Sequence, residues 1–250
     1  MGRRIVLIQV ALIVGMVLAW EFASRTALLD PRLLPPPSVV VPVAVSLLGD
    51  AGFQRHLGTT VWQVLVAIVI AAPLGTAIGI VLVESPYLGK AFMPFFNFIA
   101  AVPKSVFLPV FILLFGIGFD QKVAFGVFQA LFVIVITTGA AVAGVPADLL
   151  RIARAYGATR WQTWSEVHWN AMLPLLLEGL RLGMIFNITG VIFAEMYVAR
   201  FGLGQRLATW GQSFQMPELY AGILIAAVLS IMVNEALRLL ERRVGAWRHA

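Results

Sequence analysis

Few residues in this chain could do covalent or metal chemistry. It has no cysteine, which removes thiol nucleophiles, disulfides and Cys-based metal sites. The histidines, His56, His168 and His249, are scattered and share no metal-ligand spacing. No G-x-S-x-G run occurs, which argues against a hydrolase. No G-x-x-x-x-G-K-[ST] run occurs either, and Lys104 follows Pro103 rather than a glycine, so no loop is built to cradle nucleotide phosphates. Energy for any work must come from another polypeptide. What remains is a sparse set of polar groups inside apolar stretches. Ionisable groups cost about 2.5–3.5 kcal/mol to insert in lipid and usually face a bundle interior. Lys104, Asn187, Thr189 and Glu195 are therefore candidates to line a solute pathway. A lysine would suit an anionic solute, and Glu195 could equally hold a neighbouring loop. Glu178 and Arg181, spaced i, i+3, meet on one helix face as a structural pair.

The segment from Asp148 to His168 is different. It carries Arg151, Arg154, Arg160 and Glu166, too polar to span a membrane. Ala153, Ala155 and Ala158 favour helix and Gly157 interrupts them. Two short surface helices meeting at Gly157 are expected, either as a plain connector or as a docking element that accepts force from a soluble partner.

The elements that position these groups are membrane helices. Charged residues are 12% of the chain and the apolar set is 60%, against about 25% charged in a soluble domain. Mean hydropathy is +0.92. A hydrocarbon core of about 30 Å needs roughly 20 apolar residues. Leu57–Val83 is 27 residues without an ionisable group, and Val123–Ala147 is another 25. The full reading is an all-α membrane protein with six transmembrane helices, at approximately 5–22, 57–83, 95–115, 121–145, 173–199 and 219–240, joined as a single domain over 1–250. The polar loop is 146–172. The first run, behind Arg3 and Arg4, is expected to stay as a span, because Ala19-Trp20-Glu21 is a poor signal-peptide cleavage site. Pro35-Pro36-Pro37 reads as an external linker, with Ser38 capping an amphipathic surface helix over 39–48. Gly75-Thr-Ala-Ile-Gly79 reads as a close helix contact within the chain, next to a kinking Pro73.

The net charge of +6 needs no nucleic acid; the basic residues fall in loops, as membrane topology demands. An inside N-terminus puts Arg3, Arg4, Lys90, Arg151, Arg154, Arg160, Arg238, Arg242, Arg243 and Arg248 in the cytoplasm. The outside then holds Arg25, Arg32, Arg55, Lys122, Arg200 and Arg206. Ten against six favours both termini inside, with the polar loop on the cytoplasmic face.

The run Ile152-Ala153-Arg154-Ala155-Tyr156-Gly157-Ala158-Thr159-Arg160-Trp161-Gln162, followed by Met172-Leu173-Pro174, resembles the cytoplasmic EAA loop of binding-protein-dependent ABC importer permeases. It is most similar to the nitrate, sulfonate and taurine branch. Leu34-Pro35-Pro36-Pro37-Ser38, Val102-Pro103-Lys104, Leu108-Pro109, Phe115-Gly116-Ile117-Gly118, Ala194-Glu195, Gly202-Leu203-Gly204 and Leu239-Leu240-Glu241-Arg242-Arg243 follow in matching order, so the likeness covers nearly the whole chain. It implies a type I ABC importer transmembrane fold with a cytoplasmic coupling helix that sits in a cleft of an ABC ATP-binding subunit. On that likeness Arg151, Ala153, Arg154, Gly157, Ala158, Thr159, Arg160 and Trp161 form the coupling surface. It further implies a homodimer, a periplasmic solute-binding protein, a bacterial inner-membrane location, and ATP and Mg on the partner ATPase, with no cofactor bound by this chain. The solute would be a small one, an anion such as a sulfonate or nitrate, or a vitamin precursor. Two departures stand out: Arg151 replaces the family's usual Glu, and Trp169-Asn170 replaces its closing Leu-Pro. A compensating acid on the ATPase, or Asp148 or Glu166 of this chain, could restore the acidic contact. An ion-coupled secondary transporter and a non-transporting scaffold are the competing classes; the first leaves the polar loop unexplained, and partner identity discriminates all three.

Overall fold

A computed structural model describes residues 2–26, 28 and 30–245, with side chains described for residues 5–26, 28 and 30–239. Arg248 and His249 lie outside the described residues, as do the side chains of Arg3, Arg4, Leu240, Glu241, Arg242 and Arg243. All regular structure among the described residues is helical. The helices are α1 (Gly2–Arg25), α2 (Pro37–Gly49), α3 (Ala51–Glu84), α4 (Pro86–Ala101), α5 (Leu108–Phe115), α6 (Phe119–Ala143), α7 (Ala147–Ala155), α8 (Arg160–Gln162), α9 (Trp169–Tyr197), α10 (Leu203–Gln212) and α11 (Met216–Gly245). α8 runs through a π-helical turn at Thr163–His168 into α9, giving one helix of 38 residues. Five helices among the described residues are long and apolar enough to cross a membrane, and a sixth crossing exists if α4 and α5 are taken as one broken span.

That broken span departs from the expected third segment, 95–115. α4 and the Lys104–Phe115 stretch are bent by 94°. The cause is local. Pro103 forces Val102 into extended backbone, φ −73° and ψ 140°, which no helix can continue. A 3₁₀ turn at Lys104–Phe107 then restarts the chain, and Pro109 opens α5 where its missing N–H costs nothing.

The N-terminal end of α2 is also built differently from the expectation. Ser38 lies inside the helix, behind Pro36 at the cap and Pro37 in the first turn. The carboxylate of Glu21, on α1, does the capping: it accepts from the Ser38 N–H at 3.0 Å and the Ser38 hydroxyl at 2.8 Å. Glu21 also pairs with Arg25. These bonds, with Ser24 donating to the Leu34 carbonyl at 2.5 Å, fasten α1 to the rest. The α1 side chains from Ile5 to Leu18 are otherwise exposed, as expected of a lipid-facing helix. α2 is not simply surface-lying. Its Val40 and Ala44 are buried with Phe53, Leu203, Leu207, Trp210, Ala221 and Ile225, which joins α2, α3, α10 and α11.

α3, α6 and α9 form the core, and α6 is the most enclosed of the spans. Small residues set their spacing. A Cβ placed on Gly75 would lie 2.7 Å from Ile134 Cγ2, and one on Gly79 would lie 2.7 Å from Thr138 Cβ and 2.8 Å from the Val135 carbonyl oxygen. The Gly75–Gly79 pair therefore packs on α6 within the chain. α9 uses the same device from the other side. Gly183 abuts Ile134 and Gly190 abuts Gln129, so Ile134 is held between glycines of two helices. α3 continues as one helix through Pro73.

Gly79→Leu should disrupt the α3–α6 contact, because the backbone carbonyl it meets cannot rotate away. Overpacking of this kind costs about 1–3 kcal/mol. The expected outcome is a lower melting temperature and a poorer monodisperse yield in detergent, while Gly15→Leu, on lipid-facing α1 with open space around it, leaves both unchanged. Equal melting of the two variants would show that the helices do not approach as described.

Candidate functional site

The candidate residues fall at opposite ends of the bundle. At one end stands the polar loop. Pro146 precedes α7, Asp148 occupies its favourable first turn, and Arg154 its last, where Nε donates to the Leu150 carbonyl at 3.1 Å. The helix closes in a Schellman motif: Ala158 N–H bonds the Ala153 carbonyl at 3.0 Å and Gly157 N–H bonds the Arg154 carbonyl at 3.0 Å. Gly157 supplies the left-handed residue this motif needs, with φ +77°. Thr159 then starts the next helix with a capping box, its side chain accepting from Gln162 N–H while Gln162 Oε1 accepts from Thr159 N–H at 2.9 Å. This second helix is not short, as expected, but leads through the π turn into α9. Asn170 stabilises the π turn by donating to the Glu166 carbonyl at 2.8 Å, which gives the departing Trp169-Asn170 pair a structural task.

This loop exposes large apolar and aromatic side chains. Tyr156 is 88% exposed, Trp161 79% and Ile152 54%. Between α7 and the π turn lies a groove of about 350 Å³ lined by Leu149, Ile152, Ala153, Glu166, Val167 and Asn170. Asp148 and Arg151 approach to 3.5 Å on the exposed face, so the basic departure at Arg151 has its own acid beside it.

At the other end a buried polar node ties three elements together. Glu195, fully buried on α9, accepts from Thr60 Oγ1 at 2.8 Å and from Gly204 N–H at 2.9 Å. The Thr60 hydroxyl in turn accepts from Leu203 N–H at 2.7 Å. One turn earlier on α3, His56 Nδ1 meets the Gly202 backbone, 3.1 Å from its nitrogen and 3.2 Å from its carbonyl oxygen. Gly202 has φ +125°, and any Cβ there would strike the Glu195 carboxyl group. Lys122, 2% exposed on α6, interacts electrostatically with Glu195 and donates to the Ile117 carbonyl at 2.5 Å. The Gly202-Leu203-Gly204 turn, and the start of α10, are thus pinned to α3 and α9.

The remaining candidates sit between these ends. Asn187 is fully buried, its Nδ2 donating to the Val64 carbonyl at 2.8 Å, and it lies against Gly126 of α6. Lys104 is 7% exposed, donates to the Ala100 carbonyl at 3.3 Å and lies 5.3 Å from the centre of the Phe186 ring. Thr189 is exposed on α9, on a strip shared with Leu182, Phe186 and Phe193. Arg181 and Glu178 approach to 4.0 Å, as their spacing suggests. Sequence reasoning missed Thr60 and Lys122 as partners of Glu195, and His56 as the partner of Gly202. A histidine and a threonine at i, i+4 on an apolar helix were the available sign, because both then occupy one face.

Residues 71–246 match the family of binding-protein-dependent transport system inner membrane components. The chain belongs to this family. It is similar to the taurine transport system permease protein TauC of Escherichia coli, 28% identical over 249 residues, covering 96% of this chain and 90% of that protein. It is likewise 28% identical over 231 residues to the putative aliphatic sulfonates transport permease protein SsuC of Bacillus subtilis, covering 92% and 84%. Among solved structures, an inward-facing MetNI methionine ABC transporter chain matches with a TM-score of 0.68 at 20% identity, over 76% of this chain and 94% of that one. The fold is therefore that of a type I ABC importer transmembrane subunit. The permease is a multi-pass inner-membrane transport subunit of an importer, not an enzyme, and its family works with an ATP-binding subunit and a substrate-binding protein.

Thr60→Val keeps the shape of the node but removes the hydroxyl that serves both Glu195 and Leu203. Leaving a buried polar group unpaired costs about 1–3 kcal/mol. The loop 198–204 should become sensitive to protease in membranes, with Glu195→Gln milder than Glu195→Leu. Unchanged cleavage in Thr60→Val and Glu195→Leu would show that the loop is held by other contacts.

Proposed function

We propose that the permease forms half of the translocation pathway for a small organic or inorganic anion, of the sulfonate, taurine or nitrate kind. A second copy forms the other half. A periplasmic solute-binding protein delivers the solute at the α10 end, and an ABC ATP-binding subunit docks on the α7 end, which places both termini in the cytoplasm. ATP and Mg act on that partner. Similarity to permeases named for taurine and aliphatic sulfonates supports the solute class; a formylaminopyrimidine permease, 26% identical over 229 residues, keeps a vitamin precursor as the second reading.

One observation carries the docking assignment. The α7–α8 loop is too polar to enter lipid, yet exposes Ile152, Tyr156 and Trp161 beside an open groove. Exposed aromatic side chains on a charged surface mark a protein partner. In this reading Arg151, Ala153, Arg154, Gly157, Ala158, Thr159, Arg160 and Trp161 make the coupling surface. Asp148 supplies the acid next to Arg151, and Ile152 with Leu149 fills the partner's cleft. For the pathway, the exposed α9 strip with Thr189 is favoured over Lys104, Asn187 and Glu195, which are spent inside the subunit. ATP-driven closure of the partner would push α7, and the long α8–α9 helix would carry that displacement across the membrane.

Gly157→Ile tests the docking assignment. A β-branched residue at positive φ costs about 1–2 kcal/mol locally, in an open turn with nothing nearby to clash. Tagged wild-type chain, gently extracted, should bring down an ABC ATPase in one-to-one ratio. The variant should insert normally, lose the ATPase, and lose uptake of the sulfonate or nitrate solute. An ATPase recovered equally with the variant would refute docking at this loop, whereas wild-type uptake of a pyrimidine precursor alone would overturn only the solute class.

A further inference from the structure

A cavity of about 390 Å³ opens at the α10 end, next to Lys122 of the polar node. Thr59 and Gln63 of α3, Phe119 and Lys122 of α6, and Arg200 and Phe201 of the α9–α10 connection line it. No acidic residue lines it. Glu195 lies behind Lys122, fully buried, with its oxygens engaged by Thr60 and Gly204. Asp120 is on the exposed side of the first turn of α6 and does not reach the wall.

Four kinds of donor converge on this space. Lys122 gives one hydrogen to the Ile117 carbonyl and keeps two. Arg200 makes no hydrogen bond or ion pair among the described residues and so has its whole fork available. The 25-residue α6 begins at the cavity wall, and Gly118 at its cap provides no side-chain acceptor for the free N–H groups. Gln63 is 3% exposed and its Oε1 has no partner, so a half-turn of the amide presents N–H₂ to a ligand at little steric cost. Arg55, stacked 4.9 Å from the centre of the Phe201 ring, adds a further cation next to the wall. The unpaired atom of Gln63 is its oxygen alone, and the amide borders a space lined by cations and by no acidic residue.

We propose that this cavity is a binding site for a small oxyanion. A sulfonate, carboxylate or phosphate head would sit between Arg200 and Lys122 over the α6 N-terminus, with any short apolar tail against Phe119 and Phe201. The site lies at the α10 end, away from the coupling surface, and its chemistry holds whatever solute the importer carries. The head can come from a dissolved organic anion or from an anionic lipid.

The test uses the permease with its co-purified ATPase in nanodiscs, and 2,2,2-trifluoroethanesulfonate as a probe read by fluorine NMR. In phosphatidylcholine discs the wild type should show saturable broadening. Arg200→Glu, on an exposed connection that leaves the fold alone, should weaken binding well over tenfold, and Arg200→Gln at least about tenfold, the loss expected for one charge-assisted contact. Arg200→Lys should retain most of the affinity. Discs with phosphatidylglycerol separate the sources. If that lipid competes with the probe, and native mass spectrometry finds it on the wild type but not on Arg200→Glu, the natural occupant is a lipid head; if it does not compete, the occupant is a dissolved anion. Saturable binding that Arg200→Glu leaves unchanged, or a wild type that holds neither probe nor lipid, overturns the site.

Discussion

Everything in this molecule depends on how closely α3, α6 and α9 can approach. Lipid tails are as apolar as leucine, so helices in a bilayer gain little from hiding apolar surface from one another. What holds them is contact, and contact needs small residues where helices cross. Gly75 and Gly79 bring α3 onto Ile134 and Thr138, while Gly183 and Gly190 bring α9 onto Ile134 and Gln129. α6 is thereby gripped on both sides. The polar groups this arrangement buries are used across the helix boundaries: Asn187 of α9 bonds the Val64 carbonyl of α3, and Thr60 of α3 bonds Glu195 of α9. Each is costly alone in a bilayer and favourable only as a pair.

A rigid centre explains why the chemistry sits at the ends. Both ends are irregular stretches of chain that the core helices hold in place. At the α7 end the backbone is fixed by its own local bonds, the Schellman closure at Gly157 and the capping box at Thr159, so its side chains are free for a partner. At the α10 end the connection has no such local closure. It is held by buried side chains of α3 and α9, and positions α10, α2 and α11 around Trp210 and Phe53.

Much of this was legible in the sequence, and the failures have physical causes. Long uncharged runs identified the spans because lipid imposes a length. Gly157 between alanines marked the turn because only glycine takes that backbone cheaply. The Gly75–Gly79 spacing reads as an internal contact, whereas the equivalent Gly179–Gly183 on α9, packed on Thr137 and Ile134, has Arg181 between its glycines and so lacks the apolar setting of that pattern. Ser38 failed as a cap because a carboxylate 17 residues away, Glu21, reached the same N–H group; tertiary partners of that kind leave no local trace. The run 95–115 reads as one span, yet Pro103 breaks it; proline alone does not fix an angle, and 94° follows from a 3₁₀ turn that no pattern announced. The role of Glu195 was open between lining a route and holding a loop, since its spacing is the same in either case. Its two acceptor bonds to Thr60 and Gly204 come from residues far apart in the chain.

The continuous helix from Arg160 to Tyr197 connects the two ends, and its construction bears on how they communicate. At 1.5 Å per residue its 38 residues measure about 57 Å, longer than a bilayer core, so it begins in the polar loop and ends at the polar node. Its lower part is interrupted by the π turn at Thr163–His168 and by Pro174, both of which weaken the backbone ladder. Its upper part is straightforward α-helix packed through Gly183 and Gly190. Above those breaks the rod moves as one body. A displacement at α7 then reaches Asn187 and Glu195 as a rigid shift rather than being lost in bending. Glu195 is bonded to both α3 and the α10 turn, so that shift must either carry α10 with it or break the Thr60 contact. On the docking assignment proposed above, the polar node is the place where motion begun at α7 becomes motion of the opposite mouth.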